Sequence, residues 1–280
     1  MPPETPEAAD HKPGFAPVSV IIPAWRAAGT IERALTSVAG QTLRPNEAVV
    51  VDDGSTDGTA EAAEACAGHM NGVALKVVRQ KNAGAGAARN RAIAEASQPV
   101  LAFLDADDEW LPEHLERSLA VMDAGGHALV AHNGWIVAEG EATLNDCARR
   151  FRETADPYVA LYRKGYLDTC TVLVRRDAVI AAGGFDETLG NAQDFEMWLA
   201  LLAEPKATFA VFDEPLCRYH VTPGTIMSNT ARRRSAGAAT SFCPACGGAS
   251  PPSITRPSRR GARAVNSLRR SSPSPVCPWP

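Results

Sequence analysis

The sequence predicts an α/β fold in which a mostly parallel sheet is flanked by helices. Short apolar runs typical of buried strands alternate with helix-like segments through the first 125 residues. Clusters of polar residues directly follow four of these runs. Because ligands bind beyond the carboxyl ends of the strands in such sheets, this arrangement also predicts a binding site.

Four strands and four helices are expected in this first part of the chain. The strands are Val18–Ile22, Glu47–Val51, Val73–Val78 and Val100–Leu104. Helices are expected from Thr30, from Ser55 or Thr56, after the glycine loop Asn82–Gly86 and over Pro112–Met122. Hydroxyl side chains favour the residue that opens a helix, and Ile31, Leu35 and Val38 would share one apolar face.

The second part of the chain is less regular. Its expected strands are Ala128–Val137, Thr169–Arg176 and Phe209–Phe212. Residues 139–168 are polar and give no assignable pattern. Helices are expected over Asp177–Ala182 and over the stretch FEMWLALL, with a glycine-rich turn at Gly183–Glu187 between them.

The charge of the chain is unevenly distributed. Residues 231–280 contain nine of the 28 basic residues and no acidic residue, so residues 1–230 carry 19 basic and 32 acidic side chains. This acidic body argues against nucleic acid as a partner. The seven cysteines are dispersed without a disulfide framework, and no apolar run approaches the roughly 18 residues of a membrane span. With no signal-peptide pattern at the N-terminus, we expect a cytoplasmic protein.

Both ends of the chain have compositions typical of disorder. Residues 1–16 are acidic and proline-rich, and residues 231–280 are rich in Ser, Pro and Arg. Two interpretations of the basic tail stay open: it attracts anionic lipid head groups, which would give peripheral contact with the inner face of the membrane, or it stays disordered in solution. Cys243 and Cys246 form one zinc-type pair without a second pair, which does not predict a metal site.

The stretch VLAFLDADDEW carries the strongest chemical signal. Asp105, Asp107 and Asp108 follow the fourth strand, where their carboxylates would repel one another without a cation. Mg²⁺ or Mn²⁺, bound together with a phosphorylated ligand, would satisfy them. The alternative is a polar loop in which Asp108 only favours the start of the next helix.

The other polar clusters suit a nucleotide. Asp52 and Asp53 can accept hydrogen bonds from a nucleobase and a ribose, or can serve only in an Asp-Gly-Ser turn. The small residues of NAGAGAAR allow close approach of a ligand, and Arg89 suits phosphate binding. A dinucleotide fingerprint is disfavoured, because Arg89 stands at its third glycine position and the stretch follows the third strand.

Two residues of the second part have both a structural and a chemical interpretation. Asp194 lies in the opening turn of a helix, where it would complement the helix dipole or act as a general base. His220 precedes a loop and is either structural or a ligand.

Seven motifs follow one another along the chain: VSVIIPAW, VVVDDGSTDGT, NAGAGAARN, FLDADDEW, GGFDE, QDFEMWLAL and RYHVTPG. Together, in this order, they resemble the signature of glycosyltransferase family 2, which has the GT-A fold. The resemblance runs from Val18 to Asn229. It implies one catalytic domain with a nucleotide-sugar-binding half, residues 17–125, and an acceptor-binding half, residues 126–230. It also implies a nucleotide-diphosphate-sugar donor, a divalent metal and inversion at the anomeric carbon.

The resemblance also implies roles for single residues. Pro23, Ala24 and Asp53 would contact the base, and Arg89 the diphosphate. Asp105 and Asp107 would be the acids of the DXD motif, with Asp108 and His220 as further candidates for the metal. Asp194 would be the catalytic base. The chain departs from the family pattern at Trp25-Arg26, where Tyr-Asn is common, at Gln193, which replaces an acid, and at Ala200, where Arg is frequent.

We therefore expect an inverting, metal-assisted glycosyltransferase that acts on a carbohydrate or lipid-linked acceptor in polysaccharide or glycolipid synthesis. A metal and Arg89 would neutralise the leaving diphosphate, and Asp194 would take the proton of the acceptor hydroxyl. Two alternatives remain open on the sequence. One is a non-catalytic nucleotide-sugar-binding protein of the same fold, and the other is a nucleotidyltransferase.

Overall fold

The computed structural model describes residues 14–153, 156–164, 167–203 and 208–221. The predictions for the tail, for Cys243 and Cys246 and for most of the N-terminal lead lie outside these residues. The described residues form the predicted α/β fold, and its sheet has nine strands. Among them, no helix is both long and apolar enough to cross a membrane.

The strands are bounded as follows: β1 Phe15–Ala24, β2 Arg44–Asp52, β3 Ala74–Arg79, β4 Val100–Phe103, β5 Glu109–Trp110, β6 Leu129–Ala138, β7 Glu141–Asn145, β8 Leu173–Arg175 and β9 Phe209–His220. The α-helices are α1 Ile31–Ala39, α2 Thr59–Ala65, α3 Ala85–Glu95, α4 His114–Gly125, α5 Cys147–Arg152, α6 Pro157–Lys164, α7 Arg176–Ala182 and α8 Gln193–Ala203. Short 3₁₀ helices occupy Cys66–His69 and Thr169–Thr171.

The sheet order is β3-β2-β1-β4-β8-β6-β9-β5, with β7 paired to β6. Strands β1 to β4 run parallel to one another, as the βαβ pattern predicts. Strand β8 is antiparallel to both β4 and β6, whereas β9 is parallel to β6. The carboxyl ends of β1 to β4 therefore meet at one edge of the sheet.

The core consists of two apolar layers, one on each face of the sheet. Val20 and Ile22 of β1 pack in one layer and Ile21 packs in the other, because successive residues of a strand point to opposite faces. The first layer is completed by α1 and α4, and the second by α3, α7 and α8. Trp198 of α8 is fully buried and makes an edge contact with Phe103 at 5.5 Å between ring centroids.

The first layer contains a pair of buried histidines. Nδ1 of His114 lies 2.7 Å from Nε2 of His132, and the His114 ring stacks on Trp110. Burial lowers the pKa of His132 to about 4. Burial, together with His132, also lowers the pKa of His114 well below its usual range. Both rings are therefore neutral at physiological pH.

Several predicted boundaries are wrong. The second helix begins at Thr59 after Gly58, not at Ser55 or Thr56, because the Ser55 hydroxyl binds the Arg26 backbone in the loop after β1. Thr30 precedes α1, but its hydroxyl makes no cap to the helix. The predicted strand Thr169–Arg176 is a 3₁₀ turn followed by the short strand β8. The fourth strand ends at Phe103 and the following helix starts at His114.

Two parts of the second half are longer or more regular than predicted. Strand β9 extends through His220 instead of ending at Phe212, since it pairs with both β6 and β5. The unassigned residues 139–168 contain β7, α5 and α6.

Candidate active site

Four loops meet at the carboxyl edge of the parallel strands. They follow β1 at Trp25, β2 at Asp53, β3 at Gln80 and β4 at Leu104. All four carry polar residues that the sequence singled out. The parallel pairing of these strands is the reason that distant motifs come together here.

Asp53 organises the loop that follows β3. Its carboxylate accepts hydrogen bonds from the Gln80 side chain at 2.8 Å, the Ala83 backbone at 2.9 Å and the Gly84 backbone at 2.8 Å. Asp53 is 3% exposed, so its side chain is occupied by the protein itself. Contact between this carboxylate and a nucleobase stays a prediction.

The same loop places Asp52 and Gly54. Asp52 is buried and accepts a hydrogen bond from the Ser55 backbone at 3.0 Å, which is the Asp-Gly-Ser turn that the sequence allows. Gly54 has a φ of +75°, and a Cβ there would lie 2.8 Å from the Asn82 backbone nitrogen. Glycine is required because the two loops touch at this point.

The loop after β1 is held by the turn after β2. The Ser55 hydroxyl accepts a hydrogen bond from the Arg26 backbone at 2.9 Å, and the Thr59 hydroxyl accepts one from Ala27 at 2.8 Å. Pro23 is partly exposed and Ala24 is buried at the end of β1. This support fixes the backbone of the segment that the resemblance assigns to base binding.

An exposed aromatic ring stands on this loop. Trp25 is 54% exposed, and the Arg26 guanidinium lies 4.7 Å from the centre of its ring. Arg26 has a φ of +53°, an uncommon conformation for a residue with a side chain. The departure from the family pattern at these two positions therefore coincides with a constrained, solvent-facing surface.

Arg89 lies between the two groups of predicted acids. Arg89 belongs to α3, and its side chain is buried. It donates a hydrogen bond to Asp105 at 2.7 Å. Burial works against the charged guanidinium, but the carboxylates of Asp105 and Asp194 hold the pKa of Arg89 above its usual value. Arg89 is thus electrostatically coupled to a predicted metal ligand and to the predicted base.

The acids after β4 repel one another, as the sequence predicts. Burial and the Asp105 carboxylate raise the pKa of Asp107 to about 6. Burial, with Asp105 and Asp107, raises the pKa of Asp108 well above its usual range. Oδ1 of Asp108 accepts a hydrogen bond from the His220 backbone at 2.9 Å, while Oδ2 is buried without a partner among the described residues.

His220 lies beside this acidic loop at the end of β9. Its ring nitrogen Nε2 is 3.2 Å from the carboxylate of Glu109. The structure therefore brings His220 next to the acids that follow β4, but its ring faces Glu109 and its backbone binds Asp108.

The acidic loop suits a cation that is shared with a ligand. Among the described residues, no group of three His, Cys, Asp or Glu side chains is placed to hold a metal ion. Mg²⁺ is commonly bound by one or two carboxylates together with substrate phosphates. The mutual repulsion of Asp105 and Asp107 and the unpartnered oxygen of Asp108 fit a cation of this kind.

Asp194 is fixed by two hydrogen bonds at the start of α8. Its Oδ2 accepts from the Thr169 hydroxyl at 2.7 Å, and its Oδ1 accepts from the Phe195 backbone at 2.8 Å. The neighbouring Gln193 is buried and donates to the Leu189 carbonyl at 2.9 Å. Asp194 is partly exposed, so its carboxylate retains access to a ligand.

The sequence missed three residues of this site. Thr169 binds Asp194, and the partly buried Asp168 comes just before the 3₁₀ helix that begins at Thr169. Tyr219 on β9 has its pKa raised by burial and by four carboxylates, those of Asp108, Asp105, Asp107 and Asp168. Asp168 and Thr169 fell at the border of a stretch without periodicity, and Tyr219 lay in a motif where only the histidine was considered.

Comparison with known proteins agrees with the resemblance. The chain matches the family described as glycosyl transferase family 2 over residues 19–181. It is 28% identical over 225 residues to the putative teichuronic acid biosynthesis glycosyltransferase TuaG of Bacillus subtilis (strain 168). This match covers 76% of this chain and 82% of that protein. The chain spans a smaller share, 40% to 58%, of three further curated relatives.

Solved structures share the fold. S. aureus TarS 1-349 in complex with UDP-GlcNAc matches with a TM-score of 0.62 and 25% identity, over 76% of this chain and 60% of that chain. The mannosyltransferase PcManGT from Pyrobaculum calidifontis, in complex with GDP-Man and Mn²⁺, matches with a TM-score of 0.62 and 22% identity, over 82% and 66% of the two chains. The predicted GT-A fold is confirmed.

Proposed function

We propose that this chain, which belongs to glycosyl transferase family 2, transfers a sugar from a nucleotide-diphosphate donor to an acceptor hydroxyl with inversion at the anomeric carbon. The observation that carries the proposal is the position of Arg89, which lies within electrostatic reach of both Asp105 and Asp194. This coupling between the motifs proposed for donor and acceptor supports a single site.

The donor would lie over the carboxyl edge of β1 to β4. Trp25 and the loop held by Asp53 would receive the nucleoside, and Arg89 would face the diphosphate. This arrangement is favoured because small residues and backbone amides after β3 leave room for phosphate oxygens. TarS and PcManGT are named as complexes with UDP-GlcNAc and GDP-Man, which supports a nucleotide sugar as the ligand class.

Asp105 and Asp107 would hold Mg²⁺ or Mn²⁺, with Asp108 and His220 beside them. When bound, the cation would supply Lewis-acid neutralisation of the departing diphosphate. The raised pKa of Asp107 supports this role, because a carboxyl group that is reluctant to ionise alone gains most from a neighbouring cation.

Asp194 would accept the proton of the acceptor hydroxyl. Its carboxylate is held by Thr169 and by the Phe195 backbone, and it belongs to the half of the chain that does not carry the nucleotide motifs. A single base suffices for inversion, since the hydroxyl attacks from the face opposite the leaving group. TuaG is named for teichuronic acid biosynthesis, and we propose a polysaccharide or glycolipid acceptor here as well.

The proposal is tested by a melting-temperature screen of nucleotide sugars with and without Mn²⁺, followed by measurement of nucleoside diphosphate release from each ligand that binds. We expect at least one nucleotide sugar to raise the melting temperature with Mn²⁺, because a bound ligand stabilises by mass action, and to be turned over. Binding without release would favour a non-catalytic nucleotide-sugar-binding protein. Pyrophosphate formed from a nucleoside triphosphate and a sugar phosphate would favour a nucleotidyltransferase.

A further inference from the structure

Helix α1 is hydrogen-bonded to the acidic loop that follows β4. Nη2 of Arg33 donates a hydrogen bond to the backbone carbonyl of Asp107. One turn later, the Ser37 hydroxyl accepts a hydrogen bond from the Trp110 backbone nitrogen at 3.1 Å. Because side chains four residues apart lie on the same face of a helix, one face of α1 fixes the path of this loop.

Gln41 continues this row of contacts just beyond the end of α1. Its side-chain nitrogen donates to the Leu111 carbonyl at 2.8 Å, and its side-chain oxygen accepts from the Leu115 backbone at 3.0 Å. Gln41 is buried, so water does not compete for these hydrogen bonds. Residues 107–115 are therefore held along their length, and Arg33 supplies the contact nearest the predicted metal ligands.

Arg33 differs from Ser37 and Gln41 because it is charged. Among the described residues, Asp107 is its only hydrogen-bond partner, and its Nε is buried without one. Burial and the Asp105 carboxylate raise the pKa of Asp107 to about 6, whereas the charge of Arg33 acts in the opposite direction. Arg33 thus lies near the Asp107 carboxylate but binds the main chain, which leaves the carboxylate oxygens outside this contact.

The other end of α1 adjoins the loop that follows β1. The Ala27 carbonyl accepts hydrogen bonds from the backbone nitrogens of Thr30 and Ile31, at 3.0 and 2.9 Å, where the helix begins. The Ala27 nitrogen donates to the Thr59 hydroxyl at 2.8 Å. One helix therefore joins the loop proposed for the nucleoside to the loop proposed for the metal.

Building on the proposed function, we propose that Arg33 is a positioning residue of the metal site, which holds the Asp107 backbone so that the Asp107 carboxylate meets the cation that accompanies the donor. Partners that orient a metal ligand contribute to metal affinity, because a loose ligand must be ordered when the cation binds. The charge of Arg33 should matter less than its hydrogen bond. A divalent cation balances the charge of a sugar diphosphate, so the bound pair is nearly neutral toward Arg33.

The test measures donor binding by titration calorimetry, with and without Mn²⁺, for Arg33→Met and the unaltered chain. Met keeps an unbranched stem and removes the hydrogen-bond donor. With the nucleotide sugar found by the screen above, we expect donor affinity in Mn²⁺ to fall by about 10- to 100-fold, the usual cost of losing a partner that orients a metal ligand. Donor affinity without Mn²⁺ should stay within about threefold, because Arg33 acts only through the metal ligand.

Two further measurements separate positioning from a general structural role. In nucleoside diphosphate release, Arg33→Met should raise the KM for Mn²⁺ by a similar factor and leave kcat at saturating Mn²⁺ within about threefold. Arg33→Lys should recover most of the lost affinity, because the contact is a single hydrogen bond from a charged nitrogen and an ammonium group can also donate one.

Arg44→Met is the matched control. Nη1 of Arg44 also donates to a backbone carbonyl, that of Asn71, at 2.7 Å. Arg44 begins β2, so it lies at the edge of the sheet opposite the candidate site. Arg44→Met should lower the melting temperature about as much as Arg33→Met and leave the Mn²⁺-dependent binding of the donor unchanged.

The outcomes are distinguishable from failure of the proposed function. If the unaltered chain binds no nucleotide sugar, the proposed function itself fails, and the inference fails with it. If the unaltered chain binds and turns over a donor without any effect of Mn²⁺, transfer stands and the inference about Arg33 is overturned. Unchanged or tighter Mn²⁺-dependent binding by Arg33→Met would also overturn it. So would equal weakening with and without Mn²⁺, or equal weakening in Arg44→Met, because the loss would then come from the fold.

Discussion

Replacing Asp194 with Asn separates a catalytic role from a structural one. Thr169 donates to Oδ2 and the Phe195 backbone donates to Oδ1, at 2.7 and 2.8 Å. Asn keeps one oxygen for the Phe195 backbone, and its amide can donate to the Thr169 hydroxyl after that hydroxyl rotates. Neither partner is left unsatisfied, so the main loss is the negative charge.

The effect of that loss on stability is small. A carboxylate at the start of a helix contributes about 0.3–1 kcal/mol. Loss of the attraction to Arg89 would destabilise the variant further, whereas removal of the repulsion with Asp168 would stabilise it. We therefore expect the free energy of unfolding to fall by about 1 kcal/mol or less, which corresponds to a melting-temperature change of about 2–4 °C at most.

The effect on turnover should be large. Loss of a general base typically lowers kcat by about 10²- to 10⁴-fold. Donor affinity should be unchanged, because the proposal assigns Asp194 to the acceptor and not to the donor. The assay combines kcat from nucleoside diphosphate release, donor affinity and the melting temperature of the same variant. A kcat within a few-fold of the unaltered chain, together with a lower melting temperature, would refute the assignment and make Asp194 a helix-start residue only.

Asp177 provides a matched control for this variant. It also lies in the first turn of a helix, and its Oδ1 accepts a hydrogen bond from the next backbone nitrogen, that of Ala178, at 2.8 Å. It is exposed on α7 and has no place among the site loops. Asp177→Asn should reproduce the small stability change of Asp194→Asn and leave kcat unchanged. A fall in kcat for both variants would point to an effect on the fold.

Three further predictions address the metal site, a loop and the core. Asp107→Ala should abolish turnover and the Mn²⁺ dependence of donor binding, and full activity in this variant or in excess chelator would contradict the metal assignment. Gly184→Ala should destabilise by about 1–3 kcal/mol in urea unfolding, because Gly184 has a φ of +74° and an added Cβ would lie 2.7 Å from Oδ1 of Asn90; an unchanged midpoint would refute this. In the unfolded chain His132 gains a proton below pH 6.5, whereas in the folded chain this ring stays neutral down to about pH 4. The free energy of unfolding should therefore fall by about 2 kcal/mol between pH 7 and pH 5. His132→Asn should flatten that dependence relative to the unaltered chain, and equal slopes would contradict the assignment.

The first half of the fold was predictable because its signals are local. Each buried strand is an apolar run with a polar end, and the strand–helix alternation restricts the sheet to parallel pairing. The predicted boundaries are wrong where tertiary contacts determine where an element starts or ends. Ser55 has the side chain of a helix-opening residue, yet it binds the Arg26 backbone, so α2 starts only at Thr59. Strand β9 continues beyond its apolar stretch because two neighbouring strands pair with it.

The candidate site was predictable to a similar extent. Motif residues at strand ends were found because a carboxylate cluster after an apolar run is unusual without a ligand. Asp168 and Thr169 could not be found in this way, since they follow residues without periodicity. The role of Thr169 comes from its hydrogen bond to Asp194, which is 25 residues away in the sequence. Asp53 shows the opposite limit. The sequence singled it out for contact with a nucleobase, which stays a prediction, whereas the structure shows that its carboxylate holds the loop at Ala83 and Gly84.

Helix α3 explains how the two halves of the site keep their relative position. Gly86 approaches the Asp186 carbonyl and the Gln193 side chain so closely that a Cβ would lie 3.3 Å from each. One turn later, Arg89 pairs with Asp105, and Asn90 accepts from the Phe185 backbone nitrogen at 2.8 Å and donates to its carbonyl at 2.9 Å.

A single helix thus contacts the acidic loop after β4 on one side and the segment that leads to Asp194 on the other. This geometry also accounts for Gln193 at a position where the family often has an acid. Its side chain is packed against Gly86 and donates to the Leu189 carbonyl. An acid in that orientation would lose this hydrogen bond and face a carbonyl oxygen, so a neutral donor suits the position, and Asp194 alone is left as the proposed base.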